Sequence, residues 1–339
     1  MEKIQKQNVG IDVSSKDFEV CFMVLTGSLK KKIKGTRKFS NKPAGFKAFV
    51  RWAENKREEA MSLHFTLEAT GVYHENLAYY LQERGEIVHI VLPSRAKKYA
   101  VSLEPKSKTD KIDSIMLGQM GLERELEVWK PISPTFRVLK GLTRERSALL
   151  KFKTRLSNQK HALKKSAYPN RKSINRLEQL IHKIDKQILA IDKELREVVN
   201  QDVEVKIRLR KVLTIPGVGF TTAVTIVAET DGFSLIKNLK QLVSYAGLDV
   251  VIKQSGKWKG KPRISKKGNV HIRKALYFPA ITAARYPNHF QVFYTRLKEK
   301  KQYSMIASVA VQRKMLSLIY TLWKNNTTYV NNYQQKNAA

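Results

Sequence analysis

The sequence has a single cysteine, Cys21, inside an apolar stretch that is typical of a strand. One cysteine excludes a disulfide framework and a zinc site built from cysteine thiolates. Long apolar runs are also missing, because the most apolar late stretch, 303–323, is interrupted by Gln312, Arg313 and Lys314. The interruption excludes a membrane span, and the first residues carry no apolar signal-peptide core. We therefore expect a cytoplasmic protein with no membrane segment.

Acidic residues are scarce relative to basic ones. The 339 residues include 64 Lys and Arg against 29 Asp and Glu, which gives a formal net charge of +35. A compact chain with that charge repels itself unless a polyanion is its usual partner, because Lys and Arg neutralise phosphates and release condensed counterions. A basic protein with a merely solvated surface is the weaker alternative. The hydrophobic content of 42% is that of a globular protein. Nucleic acid is the expected partner.

The first region, residues 1–130, alternates strand and helix patterns. The expected strands are 9–13, 18–25, 34–40, 63–68 and 87–92, and the expected helices are 43–58, 73–84 and 110–122. Three early strands followed by a β-α-β-α order indicate a mixed sheet flanked by helices. We therefore expect an α/β domain here and α-helical structure in the rest of the chain.

The second region, residues 131–205, has the spacing of a coiled coil. Apolar residues recur alternately every four and three positions at Leu177, Ile181, Ile184, Ile188, Ile191, Leu195 and Val198. The same register holds upstream at Val138, Leu142, Leu149, Phe152, Leu156 and Leu163, with Glu145 and Gln159 as polar interruptions. The run Tyr168-Pro169-Asn170 breaks the helix between the two segments. The pattern predicts a long antiparallel helical hairpin whose seam is filled within the chain or by a second copy.

The third region, residues 206–325, is expected to be mostly helical and is followed by a flexible, Asn- and Gln-rich tail, 326–339. Residues 213–219 read LTIPGVG and precede an apolar helix, which is typical of a helix-hairpin-helix motif. Gly217 and Gly219 would let backbone N–H groups approach a phosphate closely. A plain tight turn between core helices is an equally good interpretation.

Four carboxylates stand out in the first region. Asp12 lies within the first apolar strand and Glu68 closes another, while Asp110 and Asp113 share one face at the start of a helix. If they met, they would repel one another unless a divalent cation lay among them, and hard oxygen ligands suit Mg²⁺. Such ions activate an attacking oxygen or stabilise a leaving oxygen on phosphorus. Against this, Asp110 and Asp113 have the positions of a helix cap and a first-turn acid, and sugar kinases begin with a similar strand.

A basic loop follows Asp249. Residues 250–274 hold nine Lys or Arg and no acid, with Trp258 placed to stack on a base. The loop contains two serines, Ser255 and Ser265, and a serine hydroxyl becomes a nucleophile only when a base or metal activates it. Dense positive charge would stabilise a developing phosphorane. The residue chemistry alone does not choose between these serines, and a turn or cap is the default role of each.

With these residues in hand, the chain resembles the insertion-sequence one-ten family of DEDD transposases, which are related to Piv-type DNA invertases and are called bridge-RNA-guided recombinases. The resemblance covers nearly the whole chain, and the similar segments occur in the family's order: GIDVSSKDFEV, LEATGVYHENLAYYL, KSKTDKIDSIMLG, LTIPGVGFTTAVTIVAE, LVSYAGL and ISKKGNVHIRKALYFPA.

The resemblance implies a RuvC-like, RNase H-type first domain, with Asp12, Glu68, Asp110 and Asp113 as a Mg²⁺-binding tetrad. It implies a coiled-coil hairpin, and then a C-terminal transposase domain whose catalytic serine matches Ser255 rather than Ser265. It also implies a covalent serine–DNA intermediate, a dimer or tetramer, and a non-coding guide RNA that pairs with donor and target DNA.

The expected function is therefore that of a transposase or recombinase that cleaves and rejoins DNA through Ser255. The expected phosphate contacts are Lys257, Lys259, Lys261, Arg263, Lys266, Lys267 and Arg273, with Gly217 and Gly219 at the helix-hairpin-helix. The main alternative is a RuvC-like metal-dependent nuclease in which water attacks and Ser255 is a turn residue. An actin-like sugar kinase and a non-enzymatic nucleic-acid scaffold are the more distant alternatives.

Overall fold

A computed structural model describes residues 3–59, 61–104, 109–256, 258–260 and 262–331, with only the backbone for Lys259. The chain forms two compact units, Met1–Pro131 and Ile132–Ala339. The expected helical-hairpin and C-terminal domains both lie in the second unit, so their division at residue 205 stays a prediction.

The first unit is built on a five-stranded mixed sheet in the order β3-β2-β1-β4-β5. β1 is antiparallel to β2, and β2 to β3, whereas β1, β4 and β5 run parallel. The strands are β1 Ile4–Val13, β2 Asp17–Thr26, β3 Lys31–Ser40, β4 Leu63–Glu68 and β5 Ile87–Val91. The helices are α1 Pro43–Glu54, α2 Glu75–Glu83, α3 Pro93–Ser102 and α4 Asp110–Glu123. The predicted mixed sheet is confirmed; α3 was not predicted.

Strand alternation divides the side chains of the first unit between two faces of the sheet. One face packs on α1 and α2 around a cluster of buried aromatic rings that includes Phe18, Phe49 and Phe65. The opposite face lies under α4, where buried Cys21 packs with Met23 and Leu122. Both faces are covered at β2, which contains the continuous apolar run VCFMVL, whereas the edge strand β3 is basic and mostly exposed.

The position of α4 is set by direct contact between its backbone and β1. A Cβ atom on Gly10 would lie 2.1 Å from both the N of Gly118 and the O of Ser114. Asn8 Nδ2, two residues earlier on the same face, donates to the Gly118 carbonyl at 3.0 Å. The helix therefore runs antiparallel to β1, and its first turn lies over the carboxyl ends of the parallel strands.

The second unit opens with two long helices, α5 Pro134–Lys165 and α6 Arg171–Gln201. Ion pairs cross between them, among them Arg146–Asp192, Lys153–Asp185 and Lys164–Glu178. Later residues of α5 pair with earlier residues of α6, so the two helices are antiparallel neighbours within one chain. All seven expected seam residues of α6 are buried or half-buried. On α5, Val138 is 46% and Phe152 57% exposed, so these two expected seam positions are not covered within the chain, and filling by a second copy stays a prediction.

The remaining helices of the second unit surround α12, whose Val311, Met315 and Ile319 are fully buried. The helices are α7 Val203–Val212, α8 Phe220–Glu229, α9 Leu239–Tyr245, α10 Val270–Ala283, α11 His289–Lys301 and α12 Ser304–Asn325. Four strands of two residues interrupt them: β6 Val250–Val251, β7 Gln254–Ser255, β8 Trp258–Lys259 and β9 Arg263–Ile264. Among the described residues, no helix has the length and apolarity that a bilayer crossing needs.

Replacing Gly10 with alanine tests the contact between α4 and β1. A Cβ atom 2.1 Å from two backbone atoms forces the helix off the strand, so Gly10→Ala should destabilise the first unit by about 2–3 kcal/mol. Urea unfolding followed by circular dichroism measures this. Gly27→Ala is the control, because its Cβ would meet only the Lys3 carbonyl, at 3.5 Å. Equal stability of the two variants would contradict the contact.

We expect a pair of histidines, half-buried His64 and buried His89, to make the first unit sensitive to acid. His64 Nδ1 and His89 Nε2 are 2.8 Å apart, and His89 Nδ1 lies 3.0 Å from the Glu127 carbonyl. Burial lowers the pKa of both rings, and the charges of His89 and Lys6 lower that of His64 further. As the pH falls, the histidines of the unfolded chain therefore bind protons before those of the folded chain. The contribution of the pair to the free energy of unfolding is complete above pH about 6.5 and is lost as the pH falls below that value.

Hydrogen exchange of the β4 and β5 amides, read by mass spectrometry across that pH range, measures the effect. Below pH about 6.5 protection should decrease after correction for intrinsic exchange, and the His64→Gln/His89→Gln variant should show a flatter profile. An equally steep profile in the variant would show that other groups cause the acid sensitivity.

Candidate catalytic and nucleic-acid sites

Asp12 and Glu68 occupy equivalent positions on neighbouring parallel strands. Ile11 of β1 pairs with Leu67 of β4, and each carboxylate is the next residue along its strand. Asp12 lies two residues after Gly10, and Glu68 lies two residues after Thr66, so each carboxylate is on the same sheet face as that residue. Both of these residues face α4, since Gly10 touches that helix and a Cβ on Gly121 would meet Thr66 Oγ1 at 2.4 Å. The two carboxylates are therefore side by side, on strands about 4.8 Å apart, at the α4 face of the sheet.

The first turn of α4 brings the other two acids to the same end of the sheet. The helix cap is Thr109, whose Oγ1 accepts from the Ile112 N–H at 3.2 Å. The alternative reading of Asp110 as the capping residue is therefore wrong. Asp110 is exposed and Asp113, one turn later, is half-buried. All four predicted carboxylates lie at one end of the first unit, where β1, β4 and α4 meet.

The carboxylates supply the hard oxygen donors that suit a divalent cation, but their side chains do not form a closed ligand set. Thr70 Oγ1 donates to Glu68 Oε1 at 3.2 Å. Across the described residues, no three His, Cys, Asp or Glu side chains are grouped closely enough to hold a metal ion. The donor type and the shared location fit Mg²⁺, whereas coordination would require the side chains to rotate.

Two charged residues that the sequence reading missed extend this acidic end. Glu19 of β2 pairs with Asp12, and Lys38 of β3 pairs with Glu19, so the three lie in one row across the sheet. Lys38 Nζ is 3.0 Å from Asp17 Oδ2. The hydrogen bond to Asp17 raises the pKa of Lys38, and the charges of Glu19 and Asp110 raise it further. Hairpin register was the available signal, since the turn at residues 14–16 places Glu19 opposite Asp12.

Ser255 lies near the tip of a short hairpin in the second unit. It pairs with Trp258 across β7 and β8, and Gly256 in the intervening turn has a φ of +53°, which favours glycine. A second ladder, in which Val250 pairs with Ile264, forms the stem below it. The segment expected to be a basic loop therefore forms two short ladders, one above the other, and Ser255 is exposed on the outer one.

The two serines of this segment differ in their contacts. Ser265 Oγ donates to Asp249 Oδ1 at 2.5 Å and accepts from the Lys267 N–H at 3.2 Å, so this hydroxyl closes the stem. No residue within the described part of the chain hydrogen-bonds the Ser255 hydroxyl. The hydrogen bonds therefore distinguish Ser255 from Ser265, whereas the residue types around them in the sequence did not.

Cations surround the hairpin. Arg263, Lys266 and Lys267 are exposed, as predicted for phosphate contacts. An open pocket beside β8 has no acid in its lining, which consists of Val251, Lys253, Trp258, Gly260, Arg263, Ile264, Ser265 and Lys267. The predicted contacts Lys257 and Lys261, and the side chain of Lys259, lie outside the described residues.

Arg273 and Gly217 have structural contacts that the sequence did not indicate. A guanidinium nitrogen of Arg273 donates to the Ala246 carbonyl at 2.6 Å and to the Asn269 carbonyl at 3.3 Å. Gly217 has a φ of +83°, and a Cβ there would lie 2.7 Å from the Pro279 carbonyl of α10. Gly219, by contrast, begins α8 beside open space. Of the two glycines, only Gly219 lies at an accessible helix start.

The root of the basic segment is held by a buried carboxylate, Glu229 at the end of α8. Arg144 of α5 binds it through two hydrogen bonds, of 2.7 and 2.9 Å, and Asn269 Nδ2 donates to it at 2.7 Å. Burial alone would raise the pKa of Glu229, but the hydrogen bonds from Arg144 and Asn269 outweigh it and hold the pKa below its ordinary value. A lone acid closing an apolar helix was the signal in the sequence.

Two family models match the chain in order. Residues 9–169 match the DEDD transposase model, and residues 209–295 match the model of the IS116/IS110/IS902 transposase family. The first segment contains all four carboxylates, and the second contains both serines. The sequence similarity therefore falls on both candidate sites.

Relatives extend the match over the full length. The pilin gene-inverting proteins of Moraxella lacunata and Moraxella bovis are each 28% identical over 337 residues, covering 96% of this chain and 98% of theirs. Among solved structures, RuvC from T. thermophilus bound to a Holliday junction substrate has a TM-score of 0.26 and 10% identity, covering 33% of this chain and 90% of that one. An Aquifex aeolicus Ppx/GppA family member has a TM-score of 0.21 and 11% identity, with 96% and 92% covered. Both TM-scores are too low to show a shared fold.

The two family matches and the end-to-end relatives confirm the predicted resemblance. The chain belongs to the IS110-like family of DEDD transposases and recombinases, and it is a DNA-recombining enzyme.

Proposed function

We propose that this recombinase cuts and rejoins DNA through a covalent bond to Ser255. The Ser255 oxygen attacks a phosphodiester, an O–P bond to the enzyme forms, and the bond from phosphorus to one sugar oxygen breaks. The serine proton leaves with the departing sugar hydroxyl. A hydroxyl on another strand later displaces the serine, so no external energy source is needed. The exposure of Ser255 on a basic hairpin, with Ser265 tied into the stem, carries this proposal.

The hairpin has the charges for holding the strand. Lys253, Arg263 and Lys267 line the open pocket with Trp258, which supplies a face for base stacking next to phosphate-binding cations. Lys266 extends the same positive surface, and Lys257, Lys259 and Lys261 remain expected contacts. Arg273 acts by pinning the loop root through Ala246 and Asn269, so its help at phosphate is indirect.

The acidic end of the first unit is proposed to hold Mg²⁺ through Asp12, Glu68, Asp110 and Asp113. When bound, the ion would activate the attacking hydroxyl or stabilise the leaving oxygen. Lys38 offsets part of the repulsion among these carboxylates, because it is bound to Asp17 and lies near Glu19 and Asp110. The mixed sheet with its covering helices fits an RNase H-like fold of the RuvC type, as the family resemblance implies.

The partners of the reaction follow from the same resemblance. We propose donor and target DNA as substrates, with a non-coding guide RNA selecting them, and a dimer or tetramer as the assembly. The formal charge of +35 supports a polyanionic partner without separating RNA from DNA. The α5–α6 pair is proposed to act as a coiled coil in assembly, and the start of α8 at Gly219 as a helix-hairpin-helix phosphate contact. Family membership sets aside the sugar kinase and the non-enzymatic scaffold.

Exchanging the two serines for alanine tests the nucleophile. With end-bearing DNA, Mg²⁺ and guide RNA, Ser255→Ala should lose strand cleavage by about three orders of magnitude or more and form no protein–DNA adduct. Ser265→Ala removes only a stem contact and should keep forming the adduct. Denaturing gels and mass spectrometry of the adduct report both. A RuvC-like nuclease that uses water would instead keep cutting with Ser255→Ala and give no adduct in any form.

Neutralising one carboxylate tests the metal site. Asp12→Asn should weaken Mn²⁺ binding, used as a probe for Mg²⁺ and followed by electron paramagnetic resonance, by about tenfold or more. Glu83→Gln, an exposed acid on α2, is the matched control and should bind Mn²⁺ as the unaltered protein does. If Asp12→Asn bound the ion equally well, the metal would lie elsewhere.

A further inference from the structure

Four basic side chains lie where α5 and α10 approach each other, and we name Arg144, Lys151, His271 and Lys274 the α5–α10 basic cluster. Arg144 and Lys151 are seven residues apart on α5, so they project from the same face of that helix. His271 and Lys274 are three residues apart in the first turns of α10 and also share a face. Both helices pack against α8.

The Glu229 carboxylate fixes how these two helices approach. It receives Arg144 from α5 and Asn269 from the start of α10. The same Asn269 side chain accepts from the backbone N–H of His271 at 2.9 Å and of Ile272 at 3.2 Å, which caps α10. Glu229 is only 2% exposed, whereas the Arg144 side chain is 46% exposed. A buried anchor therefore holds an accessible guanidinium beside the positive end of a helix.

The two lysines of the cluster lie on helix faces that carry no acid. Lys151 shares its face of α5 with Arg144, and Lys274 shares its face of α10 with His271. The charge of Lys151 is the largest influence that lowers the pKa of Lys274, which agrees with these positions. Across the described residues, no carboxylate forms an ion pair with Lys151 or Lys274. Glu145 is the only acid of α5 and lies about 100° or more around the helix from Arg144 and Lys151, and α10 contains none. Two neighbouring ammonium groups repel each other, and an anion bound between them would remove that repulsion.

Other lysines of α5 differ from Lys151 because they form ion pairs with acids of α6. Lys153 pairs with Asp185, and both Lys160 and Lys164 pair with Glu178 across the α5–α6 contact. Acids thus neutralise these three lysines, whereas Lys151 and Lys274 have no such partner among the described residues. Glu229, the acid held between α5 and α10, already accepts three hydrogen bonds from Arg144 and Asn269.

We propose that the α5–α10 basic cluster is a phosphate-binding site for a nucleic-acid backbone, separate from the hairpin that carries Ser255. A phosphodiester presents one negative charge shared by two non-bridging oxygens, which the Lys151 and Lys274 ammonium groups can contact. The partly exposed Arg144 side chain is already oriented by its two hydrogen bonds to Glu229, so little side-chain entropy is lost on binding. The inference rests on the proposed function in one respect, that the polyanion is nucleic acid; duplex DNA and structured RNA present the same phosphodiester chemistry.

A salt titration of the full-length protein tests the site. Fluorescence anisotropy with labelled duplex DNA, and separately with a structured RNA, measures affinity for Lys151→Gln/Lys274→Gln. One or two lost phosphate contacts should reduce the slope of log affinity against log salt by about 1–2 and weaken binding about tenfold or more. The control Lys183→Gln/Lys186→Gln removes the same charge from two exposed positions on α6. Equal losses in the two variants would overturn the site, since net charge alone would explain them. The nucleic acid whose slope changes identifies the occupant.

His271 supplies a second readout. Burial, and then the charges of Arg144, Lys274 and Lys151 acting against that of Glu229, hold its pKa below the ordinary value. A bound phosphate adds negative charge beside the ring, so the His271 pKa measured by NMR should rise when the same duplex or RNA is added. An unchanged pKa at saturation would overturn the site.

The adduct assay on the unaltered protein separates this site from the serine mechanism. A selective loss of binding with no adduct would leave the phosphate site standing and remove the Ser255 chemistry. An adduct formed without any selective loss of binding would support the Ser255 chemistry and overturn the phosphate site.

Discussion

The contact between Gly10 and the backbone of α4 is the constraint on which the acidic end of the first unit depends. Because Gly10 has no side chain, the helix lies 2.1 Å from where a Cβ would be and cannot slide along β1. That fixed register carries the first turn of α4 to the strand ends, where Asp110 and Asp113 join Asp12 and Glu68. The acidic residues occur in three separate stretches of sequence, yet one backbone contact decides that they share an end.

The second unit uses a buried charge for the same purpose. Glu229 lies inside an apolar core, and its cost of burial is offset by two hydrogen bonds from Arg144 and one from Asn269. Removing any partner would leave a charge without compensation, so the three act together. The network links α5, α8 and α10, and the basic segment with Ser255 leaves α9 and returns at Asn269. The position of the hairpin root is thereby independent of the hairpin itself.

Much of the first unit could be predicted from sequence because strand and helix periodicity are local properties. Leu63–Glu68 has its predicted bounds, and the helix that begins at Asp110 was expected one residue shorter. The register of the β1–β2 hairpin, which places Glu19 beside Asp12, was also local but was missed. Contacts between distant segments were out of reach. Gly217 was read as a phosphate contact, but its packing against Pro279 is visible only in three dimensions. The choice of Ser255 came from family resemblance, and the contacts of Ser265 give it a physical reason.

The ladder that carries Ser255 consists of two pairs of two-residue strands, so few backbone hydrogen bonds hold it closed. Its opening free energy should therefore lie far below that of the helical core around α12. We expect a side chain on such a segment, such as that of Ser255, to sample several orientations, so that a bound strand would have to select one of them. Part of the binding energy is spent on this ordering, which lowers affinity for any strand that fits imperfectly and makes local rigidity a source of discrimination between substrates.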